Sequence, residues 1–172
     1  MTPCARRRFL KSGLAAAAGV FAGGASGFAQ TARVTGKAPD WVTLGKSGVK
    51  VTRLALGTGT FSGRTQRELG QEQFTKLVRH AYDRGIRFFE TSESYGEMHK
   101  MLGVALKGIP RDTYRLMTKV TTREGVNAQD KIDELRKLAN TDYFDVLLMH
   151  YQHEANWPTS TARWQDGILE AR

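Results

Sequence analysis

The sequence predicts an α/β fold built on a parallel sheet, and three observations carry that reading. Short apolar, β-branched runs begin about every thirty residues along the chain. Between them lie segments whose apolar residues recur at helical spacing. Glycine or proline closes the first two of these helical segments. The resulting order β-α-β-α-β-α-β reads as right-handed βαβ units, with helices packed on a parallel sheet.

Before the first strand comes a segment of different character. Residues 1–29 carry Arg6, Arg7, Arg8 and Lys11 and no acid. Arg6-Arg-Arg-Phe-Leu-Lys11 resembles the twin-arginine export motif, with Ala5 in place of the usual Ser or Thr. An Ala/Gly-rich apolar stretch, Ser12 to Phe28, follows, and Gly27-Phe-Ala29 resembles a small-x-small cleavage site. The glycines make this stretch a poor membrane helix, so no stable membrane insertion is expected. Residues 1–29 are therefore read as a signal peptide handed to the twin-arginine translocase, placing the mature protein in the periplasm or otherwise outside the cytoplasm. Cleavage would remove Cys4, the only cysteine of the 172 residues. Disulfides, cysteine nucleophiles and thiolate metal sites are thereby excluded from the mature chain.

Residues 30–40 are polar and read as a linker, and the domain proper is assigned to 41–172. Trp41 to Val51 holds two strand-like pieces around Lys46-Ser-Gly48, a hairpin. Val51 to Leu56 is apolar and ends at Gly57-Thr-Gly59, the first strand of the repeat. Thr65 to Arg84 sets Phe74, Leu77, Val78, Ala81 and Tyr82 on one helical face, with Gly85 as the stop. Ile86 to Phe89 is the second strand. Glu97 to Leu106 is helical, with Met98, Met101, Leu102, Ala105 and Leu106 in register, and ends before Gly108 and Pro110. Tyr114 to Val120 is the third strand. Asn127 to Leu138 is a helix with Ile132, Leu135 and Leu138 on one face. Phe144 to Met149 is the fourth strand, and Trp164 to Arg172 begins another helix.

The net charge is +9, but four of the cations lie in the leader. The remaining surplus is modest, and no basic run with interleaved aromatics suggests a nucleic-acid partner.

The strand ends carry the chemistry. Glu90 closes the second strand with Tyr95 just beyond it, Lys119 lies near the end of the third, and His150 follows the fourth. In a parallel sheet closed as a barrel these carboxyl ends converge on one mouth. Phe89-Glu-Thr-Ser-Glu-Ser-Tyr95-Gly, Met117-Thr-Lys119 and Leu147-Leu-Met-His150, in that order, resemble the Asp/Tyr/Lys/His tetrad of aldo/keto reductases. Leu44-Gly, Gly48 and Leu54-Ala-Leu-Gly57-Thr-Gly59 resemble that family's N-terminal hairpin and first strand. Glu90 departs from the family's usual aspartate by one methylene.

The resemblance implies the N-terminal half of a (β/α)8 barrel, four of eight strands, preceded by a β-hairpin. The chain reaches only four strands before Arg172, so it is read as a fragment of an exported reductase, inactive alone because the resemblance puts most of the cofactor contacts on later strands and loops. The implied reaction is NADP(H)-dependent reduction of aldehyde or ketone carbonyls, with a small-molecule carbonyl compound as substrate. A free phenol is a weak acid, with a pKa of about 10. Tyr95 becomes a proton donor because Lys119 stabilises its anion, Glu90 is the counter-ion of Lys119, and His150 directs the substrate oxygen. Gly57, Thr58 and Gly59 are the cofactor-binding candidates at the nicotinamide end, although they do not form a G-x-G-x-x-G phosphate loop. No metal is implied. Two alternatives remain open: an accessory or binding protein on the same fold, and a metal-dependent barrel hydrolase using His150-Tyr-Gln-His153-Glu154.

The leader reading is tested directly. Changing both Arg6 and Arg7 to Lys should hold a reporter fusion in the cytoplasm, and export at the unmodified rate would remove the twin-arginine assignment.

Overall fold

The computed structural model describes residues 36–171. The proposed leader, its cleavage site and the first part of the linker lie outside the described residues. Residues 38–40 run back along the chain, with Arg53 N–H donating to Asp40 O at 2.8 Å and Leu54 N–H to Ala38 O at 3.1 Å. An antiparallel hairpin follows, β1 (Trp41–Thr43) and β2 (Lys50–Thr52), in the register Val42 to Val51.

Four parallel strands then form one sheet in chain order: β3 (Leu56–Gly57), β4 (Phe88–Glu90), β5 (Arg115–Val120) and β6 (Val146–Met149). The run Val51–Leu56 expected as a single strand is therefore two elements. Its start pairs in the hairpin, the backbone bonds at Arg53 and Leu54 turn the chain, and only Leu56–Gly57 joins the parallel sheet. Helices follow each of the four strands, the last two coming after β6. They are α1 (Arg64–Glu68) and α2 (Gly70–Asp83), then α3 (Met98–Leu106), α4 (Ala128–Ala139), α5 (Trp157–Ser160) and α6 (Ala162–Glu170). The expected helix over Thr65–Arg84 is split at Leu69–Gly70, where Gly70 takes a φ of 72°.

Burial follows the pattern with two exceptions. On α2, Phe74 and Val78 are fully buried, but Leu77 is 40% exposed. On α4 the buried stripe is Ala128, Ile132, Leu135 and Ala139, whereas Leu138 is 43% exposed. Steps of four, three and four residues keep one face of a 3.6-residue helix, and Leu138 falls outside that stripe. Asn127 caps α4, its side-chain oxygen accepting from Asp130 N–H at 3.0 Å.

Two apolar clusters sit between the sheet and its helices. One joins Phe74, Val78, Phe89, Leu102 and Leu116; the other joins Val120, Ile132, Leu135 and Trp164. Residues alternate along β5, with Leu116, Thr118 and Val120 buried against the helices and Met117 and Lys119 on the opposite face. Register places Gly57 beside Glu90, Glu90 beside Met117, and Met117 beside Val146. That rung crosses the ends of β3 and β4, the middle of β5 and the start of β6, so β5 and β6 run three residues further towards the mouth.

One buried polar contact braces α3 on β5. His99 is 1% exposed, and its Nε2 lies 2.7 Å from Thr118 Oγ1, with the ring edge-on to Phe144. Burial lowers its pKa to about 4, against a partial upward pull from the Glu93 and Glu134 charges. The unfolded chain therefore binds a proton below about 6.5 that the folded chain refuses until about 4. Stability should be fully present above pH ~6.5 and fall by ~3 kcal/mol as the pH drops towards 4. Urea unfolding of the wild type and His99→Gln across that range measures the difference. A gap between the two proteins that does not change with pH would contradict a neutral, buried imidazole.

Candidate active site

Glu90, Tyr95, Lys119 and His150 meet at the carboxyl end of the sheet. Glu90 ends β4 and points away from the helices, because Phe89 before it is buried in the core. Lys119 reaches across from the next strand and forms an ion pair with Glu90 Oε1, both side chains being less than one-fifth exposed. Its Nζ also donates to Tyr95 Oη at 3.1 Å and to Thr91 O at 3.4 Å. An ammonium has three donors, and all three are accounted for. Burial holds the Lys119 ammonium below the usual lysine value.

Tyr95 closes a 3-10 turn, Glu93–Tyr95, opened by Ser92. Its oxygen accepts from Lys119 and its own O–H is left to donate. The Lys119 ammonium lies 4.8 Å from the ring centroid, a distance at which the cation is also attracted by the ring face. His150 stands edge-on to Tyr95, with ring centroids 5.7 Å apart. Its Nδ1 lies 3.0 Å from both Ser92 Oγ and Ser94 Oγ. Burial, and then the Lys119 charge, hold its pKa below the ordinary histidine value, so the imidazole is neutral at pH 7.

The glycines of Gly57-Thr-Gly59 serve this geometry. A Cβ on Gly59 would lie 2.7 Å from the Tyr95 ring and 2.8 Å from its hydroxyl oxygen. A Cβ on Gly57 would lie 3.1 Å from Glu90 Oε2. Thr58 is fully buried, and both its N–H and its hydroxyl donate to Glu90 O, at 3.1 and 3.0 Å. The space beside the two glycines is thus filled by the phenol and the carboxylate, and the Thr58 side chain faces the protein.

Ser92 and Ser94 are site residues to which the sequence reading gave no role. Both lie inside the quoted stretch from Phe89 to Tyr95, but nothing in spacing pairs them with a histidine more than fifty residues later. His153 and Glu154 do not join the site. They pair with each other at 3.1 Å, both largely exposed, beyond Tyr151, whose φ of 52° turns the chain. Among the described residues no group of three His, Cys, Asp or Glu side chains is arranged to hold a metal ion. A groove of about 1340 Å³ opens beside the site, lined by Tyr95, His150, Arg123, Trp157, Arg163 and Trp164 among others.

The family model for the aldo/keto reductases matches residues 53–168, a span that includes all four site residues. The chain belongs to the aldo/keto reductase family. L-galactose dehydrogenase of Arabidopsis thaliana is 33% identical over 117 residues, which cover 62% of this chain and 36% of that protein. Versiconal hemiacetal acetate reductase of Aspergillus parasiticus is 34% identical over 86 residues, 46% of this chain and 25% of that protein. A crystal structure from Pseudomonas aeruginosa, described as an aldo-keto reductase, superposes with a TM-score of 0.61 at 24% identity. That match covers 76% of this chain and 54% of the other, and it shows the fold. The chain therefore spans about half of that solved structure and about a third of the plant dehydrogenase. Its four parallel strands and their helices form the same kind of (β/α) arrangement. Among the described residues no helix is long and apolar enough to cross a membrane.

The ion pair yields a stability prediction. Glu90→Leu leaves Lys119 buried without its counter-ion and should cost about 2 kcal/mol, less than a fully buried pair because the mouth is open to water. Glu90→Asp keeps the charge and should cost less. Urea unfolding at pH 7 measures both, and a leucine variant as stable as wild type would show that the pair contributes nothing.

Proposed function

We propose that this protein is an NADP(H)-dependent oxidoreductase that interconverts carbonyls and alcohols, reducing aldehydes or ketones, with Tyr95 as its proton donor. The observation that carries the proposal is the position of Lys119 Nζ, between the Glu90 carboxylate and Tyr95 Oη, with His150 edge-on to the phenol. Family membership supports the same chemistry, and the two named relatives carry the names of a dehydrogenase and a reductase.

The groove next to Tyr95 exceeds the volume of ordinary small-molecule pockets, and its lining is mixed in charge, with Arg123 (paired with Glu93) and Arg163 standing among Glu124, Glu154, Asp166 and Glu170. The residues present thus fit the nicotinamide end with a substrate carbonyl beside Tyr95. Gly57 and Gly59 contribute by admitting the side chains that define that end. When bound there, a reduced nicotinamide would supply hydride to a carbonyl carbon. As charge develops on the carbonyl oxygen, the Tyr95 O–H donates its proton there and the C–O group becomes an alcohol. Lys119 stabilises the phenolate left behind, and Glu90 keeps the ammonium paired throughout. His150 Nδ1 is engaged by the two serines, so Nε2 is the nitrogen left to direct the substrate oxygen. Solvent entering through the groove returns the proton to Tyr95.

The same proposal places the protein outside the cytoplasm. Support comes from the Arg6-Arg7 pair, the apolar stretch behind it and the small residues at 27–29.

Tyr95→Phe keeps the ring against Gly59 and deletes only the hydroxyl, so the fold should persist. A lost general acid costs ~10²–10⁴-fold. That loss should appear in kcat for carbonyl reduction, with the cofactor KM little changed. Steady-state kinetics with NADPH and a panel of aldehydes, on the sequence carried through to a complete eight-stranded barrel, checks it. A variant retaining more than about a tenth of wild-type kcat would mean that another group gives the proton.

A further inference from the structure

No strand holds the turn that carries Tyr95. Glu93–Tyr95 is a single 3-10 turn whose own closing bond is Tyr95 N–H to Ser92 O at 3.1 Å. One such bond is weak support for a phenol that must meet an ammonium within tenths of an ångström. Two side chains with no place in the tetrad grip the turn from opposite sides.

On one side is Arg67, from α1. Its Nη1 donates to Tyr95 O at 2.6 Å and to Ser62 O at 2.9 Å, joining the turn to the loop after β3. The approach is possible only because two neighbours lack side chains. A Cβ on Gly96 would lie 2.8 Å from Arg67 Nη1, and one on Gly63 would lie 2.6 Å from Tyr95 O. Both glycines also have positive φ, 65° and 80°, which other residues rarely adopt.

On the other side is Glu93, whose side chain is only 10% exposed. Its Oε2 accepts from Thr121 N–H at 2.8 Å, and Oε1 accepts from Arg123 Nη1 at 2.5 Å. Lys131 Nζ lies 3.7 Å away. Thr121 is two residues beyond Lys119, so this carboxylate joins the tyrosine's turn to the strand that carries the lysine. Burial pushes the Glu93 carboxyl up, but the Thr121 N–H and Arg123 outweigh it, and the group stays below the usual carboxylate range.

We propose that Arg67 and Glu93 are positioning residues that clamp the Tyr95 turn between the loop after β3 and the end of β5, and so set the distance from the phenol to Lys119. Their catalytic importance rests on the proton-donor reading of Tyr95; the clamp itself does not.

The test uses the full chain and two readouts independent of turnover. With tyrosine labelled with 13C at Cζ, the Tyr95 NMR signal is identified by its absence in Tyr95→Phe. Amide exchange by mass spectrometry reports on residues 93–96 and 119–121. Arg67→Met and Glu93→Leu should each move the Tyr95 signal towards that of a free tyrosine and speed exchange in those two segments by roughly tenfold or more. Exchange in α3 and in the β1–β2 hairpin should stay as in the wild type. Glu93→Gln keeps an acceptor for Thr121 N–H and Arg67→Lys keeps one cationic donor, so each should give a smaller change than its apolar counterpart. These two variants carry the test if the apolar ones do not fold. An unmoved Tyr95 signal, or exchange raised equally along the whole chain, would overturn the clamp. Full carbonyl reduction by Tyr95→Phe, together with the expected changes in the other variants, would leave the clamp standing and remove only the proton-donor role.

Discussion

A lysine ammonium drawn partly out of water is the constraint on which this site depends. Burial alone disfavours the charge on Lys119, and the fold offsets that cost with oxygens from three groups: the Glu90 carboxylate, the Tyr95 phenol and the Thr91 carbonyl. Each must arrive from a different direction at one point. Glu90 and Thr91 come from the end of β4 and Tyr95 from the turn behind it, while Gly57 and Gly59 leave room for the carboxylate and the ring. The arrangement that satisfies the ammonium is the same one that leaves the phenol O–H free to donate with a cation beside its oxygen. Here a structural requirement and a chemical capability have one solution.

The two kinds of support differ in stiffness. Glu90 and Lys119 ride on strands whose far faces are packed into the apolar clusters around Phe89, Leu116 and Val120, and His99 adds a buried polar brace at Thr118. Tyr95 and His150 lie past the strand ends, and side-chain hydrogen bonds hold them instead: Arg67 and Glu93 for the tyrosine's turn, Ser92 and Ser94 for the imidazole. Packing therefore fixes the charge pair, and polar contacts fix the groups proposed to meet the substrate.

What could be read from the sequence follows the same division. Strand and helix order was legible because apolar periodicity is set by burial, and the Glu90, Tyr95, Lys119 and His150 positions were legible because they end such runs. The limit of the first strand was not, because Val51 and Leu56 look alike in sequence and only the backbone bonds at Arg53 and Leu54 separate hairpin from sheet. Leu77 and Leu138 fit a helical stripe by type, but the buried stripes run through Phe74 and Val78 and through Ile132, Leu135 and Ala139, leaving both leucines exposed. Arg67, Glu93 and the two serines left no trace, since their partners are backbone groups or a histidine whose nearness exists only after folding. Glu93 is the nearest to an exception. An acid between Glu90 and Tyr95 is visible, but nothing in the sequence shows that Thr121 N–H awaits it.

The rung shared by Gly57, Glu90, Met117 and Val146 limits how this chain can change in length. Which face a strand residue occupies is a matter of odd or even count. One residue gained or lost between Gly85 and Phe88 would turn Glu90 into the core and bring Phe89 to the mouth. Loops beyond the strand ends obey no such parity, because clamps rather than counting place their side chains. Insertions drifting into relatives of this chain should therefore collect beyond Tyr95, Arg123 and His150, past the last ladder and clamp contacts, while the short approach to β4 keeps its length.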